Sequence, residues 1–236
     1  QLFSEPGSGS DLASLSTKAV DDGDGYIVNG QKVWTTLGHL AKWGLIVTRT
    51  DPNVPKHRGL TFFIVDMESE GVDVRPLRQI TGEAEFNEVY FTDVKIPKEN
   101  ILGSLGEGWR VSLTILMNER VAIGGNVRER GTGAPGHLVQ LWKDRELSDS
   151  TQRDKLLELW IQQEAVRLTN MRDAESRAKG TPGPEGSTSK LYEAEINKES
   201  YEFAMELIGQ EALLFPRGYE LTQPELNFEN ETFGFT

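Results

Sequence analysis

The feature that most constrains this chain is a change of hydrophobic period close to residue 100. Before it, apolar residues come in short runs cut by turn formers; after it they recur at helical spacing. Such an order is not alternating α/β. It predicts α+β: a central antiparallel β barrel or sandwich over residues 1–105, then a C-terminal helical bundle over residues 106–236. Strand candidates lie at 26–28, 32–35, 45–50, 60–66, 72–76 and 88–94, with turn clusters such as Asp51-Pro52-Asn53 and Glu70-Gly71 between them. Asn29-Gly30 separates the first two and predicts a hairpin, because a type I′ turn needs two residues at positive φ. The run Asp21-Asp22-Gly23-Asp24-Gly25 lacks the spacing and closing Glu of a calcium loop and reads as a turn flanking a hairpin.

Pro97, Gly103, Gly106 and Gly108 mark the boundary, and residues 109–123 then read as a helix. Glycines and a proline between 124 and 136 predict a break. A long amphipathic helix follows at 154–179, with Leu156, Leu157, Leu159, Trp160, Ile161 and Val166 as its apolar set. A Gly/Pro loop at 181–187 precedes a helix at 188–208. Gly209 and Phe215-Pro216 mark a turn, and residues 223–236 have no clear period. The chain opens inside a polar loop and without Met, so the expectation is part of a larger protein with an incomplete helical domain.

Composition narrows the function classes. Asp and Glu number 37 against 25 Lys and Arg, a formal charge of −12, which argues against a general binder of nucleic acid or membrane surfaces. There is no Cys, and His39, His57 and His137 are scattered, so no metal site is expected. No apolar run approaches the length of a membrane span, and a cytoplasmic protein is the expectation.

Chemistry concentrates in Ser4-Glu5-Pro6-Gly7-Ser8-Gly9-Ser10-Asp11. Pro6, Gly7 and Gly9 break regular structure, while hydroxyls and free amides offer hydrogen bonds to an anion. Elsewhere the charged residues read as solvated surface. Arg128 and Arg130, near glycines, offer a phosphate site as the alternative to the flexible basic loop expected there, and Glu193, Glu195, Lys198 and Glu199 line a helix face.

That opening motif, a β segment ending in Trp34-Thr35-Thr36, and Asn118-Glu119-Arg120 on a following helix together resemble the acyl-CoA dehydrogenase family. The resemblance covers the chain to about residue 222, beginning at the family's middle β domain. It implies FAD as cofactor, an acyl-CoA substrate and an electron-transfer flavoprotein as acceptor. It further implies that Phe3 and Ser4 lie along the isoalloxazine and that Gly9 and Ser10 lie near the phosphates of flavin and CoA. Trp34, Thr35 and Thr36 complete the cofactor set, with the Trp34 indole against the flavin and the Thr36 hydroxyl towards the N5 region. Glu119 takes the position that a minority of the family uses for its catalytic base, with Arg120 adjacent, and both would meet substrate. Leu37 stands where Asn is common.

The family's Arg-x-x-Phe-Gly stretch has no counterpart in residues 137–149, and its Phe-Gly-Gly-x-Gly motif is reduced to Ile208-Gly209-Gln210-Glu211-Ala212. Gly183-Pro184-Glu185-Gly186-Ser187, followed by Lys190-Leu191, resembles an actinobacterial-type branch. Some members of that branch act on bulky acyl chains such as steroid side chains, or form mixed oligomers with one fully catalytic subunit type. Two further readings follow: a non-catalytic partner subunit of a heteromeric dehydrogenase, and a flavoprotein oxidase or hydroxylase on the same fold.

Overall fold

The computed structural model describes residues 1–124, 127–181 and 183–214; the side chains of residues 120–124 and 186 lie outside that description, as do Phe215-Pro216 and residues 223–236. The α+β order expected from the hydrophobic periods is the order observed. Six strands come first: β1 (Lys18–Asp21), β2 (Gly25–Thr36), β3 (Trp43–Arg49), β4 (Leu60–Asp66), β5 (Val72–Leu77) and β6 (Phe86–Pro97). The helices are α1 (Gly108–Gly124), α2 (Ala134–Asp144), α3 (Ser150–Ala178) and α4 (Glu185–Ile208). By contacts the chain divides within α1, at Thr114 and Ile115, into two compact units.

In the first unit the strands form one sheet in the order β4-β3-β1-β2-β6-β5. The pairings are antiparallel apart from one parallel contact, Lys18 of β1 with Arg49 of β3. Alternating side chains such as Val28, Ile46, Phe63, Val65, Val89 and Val94 meet in a single buried cluster.

Two local expectations are corrected here. Asn29-Gly30 is not a hairpin turn: β2 runs straight through it, and the register against β6 shifts between Val28 and Gly30. The extra residue belongs to β6, where Thr92 and Asp93 together face Asn29, so the bulge lies opposite the pair. Asn29 Nδ2 donates to Asp93 Oδ1 and the Asp93 amide donates back to Asn29 Oδ1, both at 2.9 Å. Gly30 sits at φ 156°, and a Cβ there would run into Thr17, 2.7 Å from its Cα. The hairpin itself lies one element earlier, between β1 and β2. There the Gly23 amide donates to Asp21 Oδ1 and the Gly25 amide to Asp22 Oδ1, so the acidic run is the turn it was read to be.

In the second unit, the break expected at 124–136 is found at residues 127–133, and it ends sooner than expected because α2 begins at Ala134 with Pro135 in its first turn. A proline there forfeits an amide that had no helical partner anyway. Helix α3 is capped by Asp149, whose carboxylate accepts from the Gln152 amide at 2.9 Å. Its buried face is Leu156, Leu159, Gln163, Val166, Asn170 and Asp173, a three-four spacing. Of the apolar set expected from the sequence, Leu157 and Ile161 are exposed instead. Helix α4 answers with buried Ser189, Glu193, Ile196, Ser200, Phe203 and Leu207 at the same spacing. Glu193 is therefore not a surface residue, and burial raises its carboxyl against the pull of Arg128. No described helix is long and apolar enough to cross a membrane.

Candidate functional site

Residues 2–4 extend the row that β1 opens between β3 and β2. The Leu2 amide donates to the Leu45 carbonyl at 2.8 Å, and the Val33 amide donates to the Ser4 carbonyl at 2.9 Å. The Phe3 ring sits edge-on to Phe62, with centroids 5.5 Å apart. Phe3 and Ser4 are thus set beside the strand that carries Trp34. Beyond them the Glu5 and Ser8 backbones exchange two hydrogen bonds, of 2.8 and 3.0 Å, around exposed Pro6-Gly7. Ser8 Oγ donates to the Asp11 carbonyl at 2.7 Å, closing the loop. Gly9 and Ser10 are exposed, and a Cβ at Gly9 would meet nothing within 4 Å. Internal packing therefore does not demand a glycine at that position.

Under the loop lies a charge pair. Lys32 is fully buried, and its Nζ donates to the Phe3 carbonyl at 3.0 Å and to Glu5 Oε1 at 2.9 Å. Glu5 Oε1 also accepts from the Thr17 amide at 3.0 Å. Its Oε2 accepts from the Ser16 amide and hydroxyl at 2.7 and 2.8 Å. Burial works to raise the Glu5 carboxyl, but the Lys32 ammonium and these hydrogen bonds outweigh it and hold it at about 2. Burial draws the Lys32 ammonium down to about 8 against the attraction of Glu5. Glu5 belongs to the motif singled out in the sequence, but its pairing with Lys32 has no sign there. The two lie 27 positions apart, and a Lys in a strand gives no local sign of being buried.

After Lys32 the register between β2 and β6 shifts again, resuming at Thr35 with Asn87. In this second bulge Trp34 adopts φ 60°, a left-handed conformation that costs a bulky residue energy, and the residue is 60% exposed. Phe86 supports it edge-on at 6.0 Å. Thr36 is exposed as well, whereas Thr35 between them is buried. Of the three, Thr35 contributes main chain: its carbonyl accepts from Asn87 Nδ2 at 3.0 Å. Leu37, at φ 54°, turns the chain out of the strand.

Glu119 belongs to the second unit, on α1. It is partly exposed, and its Oε1 stands 3.6 Å from Lys190 Nζ on α4. The Arg120 side chain lies outside the described residues. Arg128 and Arg130 are engaged by helix carboxylates: Arg128 Nε is 3.7 Å from Glu193, and Arg130 Nε is 3.6 Å from Glu164. The structure thus brings Phe3, Ser4, Trp34 and Thr36 to neighbouring backbone in the first unit, with Gly9 and Ser10 on the same loop.

Known proteins resemble this chain along most of its length. The family model for the acyl-CoA dehydrogenase middle domain matches residues 1–94, and that for the acyl-CoA dehydrogenase C-terminal domain matches residues 106–227. The acyl-CoA dehydrogenase FadE34 of Mycobacterium tuberculosis is 44% identical over 211 residues, 88% of this chain and 29% of FadE34. Among solved structures, the Tcur3481-Tcur3483 steroid ACAD superposes with a TM-score of 0.78 at 27% identity, covering 92% of this chain and 56% of that one. The ChsE4-ChsE5 complex from Mycobacterium tuberculosis gives a TM-score of 0.75 at 30% identity, covering 90% and 56%. The chain spans less than two thirds of the length of each of these relatives.

Proposed function

The chain belongs to the acyl-CoA dehydrogenase family, and from that premise we propose that the protein is a cytoplasmic FAD-dependent enzyme. In this reading it desaturates an acyl-CoA thioester between Cα and Cβ, with an electron-transfer flavoprotein as the final electron acceptor. The observation that carries the reading is the bulge in β2, which leaves Trp34 and Thr36 exposed beside the backbone of Ser4. A strained, exposed indole is costly unless it meets a ligand, and a flat ring system is the ligand that suits it.

Bound FAD would supply the acceptor for the hydride leaving Cβ. Phe3, Ser4, Trp34 and Thr36 would line its ring system, with the Thr35 main chain behind them. Gly9 and Ser10, exposed on the loop, would leave room for phosphate oxygens. Glu119 would accept the α-proton, which the neighbouring thioester carbonyl acidifies. The Cα–H electron pair then becomes the second bond between Cα and Cβ as the β-hydrogen departs with its own pair. Arg120, about 100° further round α1, would organise the thioester end of the substrate. The steroid dehydrogenase among the structural relatives favours a bulky acyl group.

In Glu119→Gln the expected result is loss of turnover by at least about 10²-fold with the yellow flavin spectrum retained. Undiminished turnover would remove Glu119 from the mechanism. A second reading, a non-catalytic partner in a mixed oligomer, is favoured by the Lys190 ammonium standing on the carboxylate the reaction needs. Relatives solved as two-component assemblies give it precedent. A colourless protein that becomes active only when mixed with a related subunit would select that reading.

A further inference from the structure

We propose that Lys32 is a positioning residue that seats the flavin-lining loop, gripping it on both sides of Ser4 through the Phe3 carbonyl and the Glu5 carboxylate. The inference rests on the FAD reading for its link to the cofactor, and on the geometry alone for the seating. Ser4 itself is tied to β2 through the Val33 amide, so three successive loop residues are fastened to two successive residues of one strand. Glu5 carries the connection onward to Ser16 and Thr17, closing the loop's return.

Lys32 is also the last residue of β2 paired to β6 before the bulge that presents Trp34. One buried side chain therefore links both elements proposed to face the flavin. An apolar residue would fill the same space without burying a charge. A buried ion pair is a poor stabiliser, because the cost of desolvating two ions rivals their attraction. Burial indeed opposes the charged form of both partners here. What the pair provides that an apolar residue cannot is direction: two donors on one nitrogen, each aimed at a fixed loop oxygen.

The test compares Lys32→Met with the double variant Glu5→Gln/Lys32→Met in the full chain. The double variant leaves no unpaired buried charge, and the single Gln oxygen can still accept from the Ser16 amide and hydroxyl while the bond from Thr17 is given up, so it separates the lost grip from lost charge balance. Three quantities are read: the thermal melt, hydrogen exchange at the Val33 and Ser8 amides, and affinity for FAD by titration. The double variant is expected to melt as cooperatively as the wild type. It should exchange both amides at least tenfold faster and bind FAD at least tenfold more weakly. Wild-type exchange at both amides in the double variant would overturn the seating role. Faster exchange with undiminished FAD affinity would overturn the link to the cofactor. If the wild type binds no FAD, the dehydrogenase reading fails, while the exchange rates still decide whether Lys32 seats the loop.

Discussion

Replacing Glu5 by Gln removes the negative half of a pair whose side chains are 0% and 4% exposed at 2.9 Å. The Glu5 carboxyl is held at about 2, against 4.5 for an unperturbed one. A carboxyl depressed on folding contributes stability that is fully present above the unfolded value and is lost as the pH falls through the folded one. The difference corresponds to at most about 3 kcal/mol near neutrality, of which about 2 kcal/mol is gone by about pH 3. Lys32 does not interfere in that range. Its depressed ammonium, at about 8 against 10.5, contributes stability present above 10.5 and lost below 8, so it stays protonated throughout acid conditions. The variant lacks the Glu5 titration but keeps every other acidic group, and these cancel in the difference. Urea unfolding of both proteins at steps between about pH 6 and about pH 3 is the assay. Near pH 6 the variant should be weaker by about 3–5 kcal/mol, the cost of leaving a buried ammonium without its partner. That gap should narrow by about 2 kcal/mol towards pH 3. A gap that stays constant would refute the claim that Glu5 is ionised and paired inside the fold.

Gly30→Ala should destabilise the β unit by at least about 1–3 kcal/mol, since the backbone conformation disfavours a side chain and the new methyl meets Thr17; chemical denaturation of the variant checks it, and wild-type stability would mean the backbone around Gly30 and Thr17 relaxes freely. Phe203→Ala should cost about 3–5 kcal/mol in the helical unit, because the ring is fully buried among Leu138, Leu156, Leu159 and Leu207. Helical circular dichroism against denaturant measures it.

Much of this fold can be read from the residues, and the places where reading fails share a cause. β4 coincides with the run expected at 60–66, and β3, β5 and β6 match theirs closely, because alternation and turn formers are local signals. Asn29-Gly30 misleads because the glycine that a type I′ turn wants is needed here for another reason: Thr17, thirteen residues earlier, leaves no room for a side chain at Gly30, while the strand runs on past a bulge in β6. Pro135 and its neighbouring glycines announce a break, yet a helix accepts a proline in its first turn. In the candidate site, Trp34-Thr35-Thr36 could be picked out as residues. Which of them face outward could not, since the bulge before Thr35 resets the alternation. The Glu5 and Lys32 pair is a long-range contact with no local trace.

The packing of α3 against α4 extends the same lesson to energetics. At one end of this seam Leu156 and Leu159 meet Phe203 and Leu207, and burial of apolar surface supplies the attraction. Towards the other end the same helical positions hold Gln163, Asn170 and Asp173 on α3, with Ser189 and Glu193 on α4. Arg128 stands by Glu193, and Arg177 stands 3.4 Å from Asp173. Those groups add little net attraction, because each must be desolvated before it is satisfied. They do penalise any sliding of the helices, which would set Glu193 or Asp173 against leucines; Arg177, on α3 itself, would move with Asp173. The apolar end thus drives the two helices together, and the polar end makes one alignment cheaper than its neighbours. A polar seam of this kind is invisible to an apolar count, which is why Glu193 reads as surface in the sequence and is core in the fold.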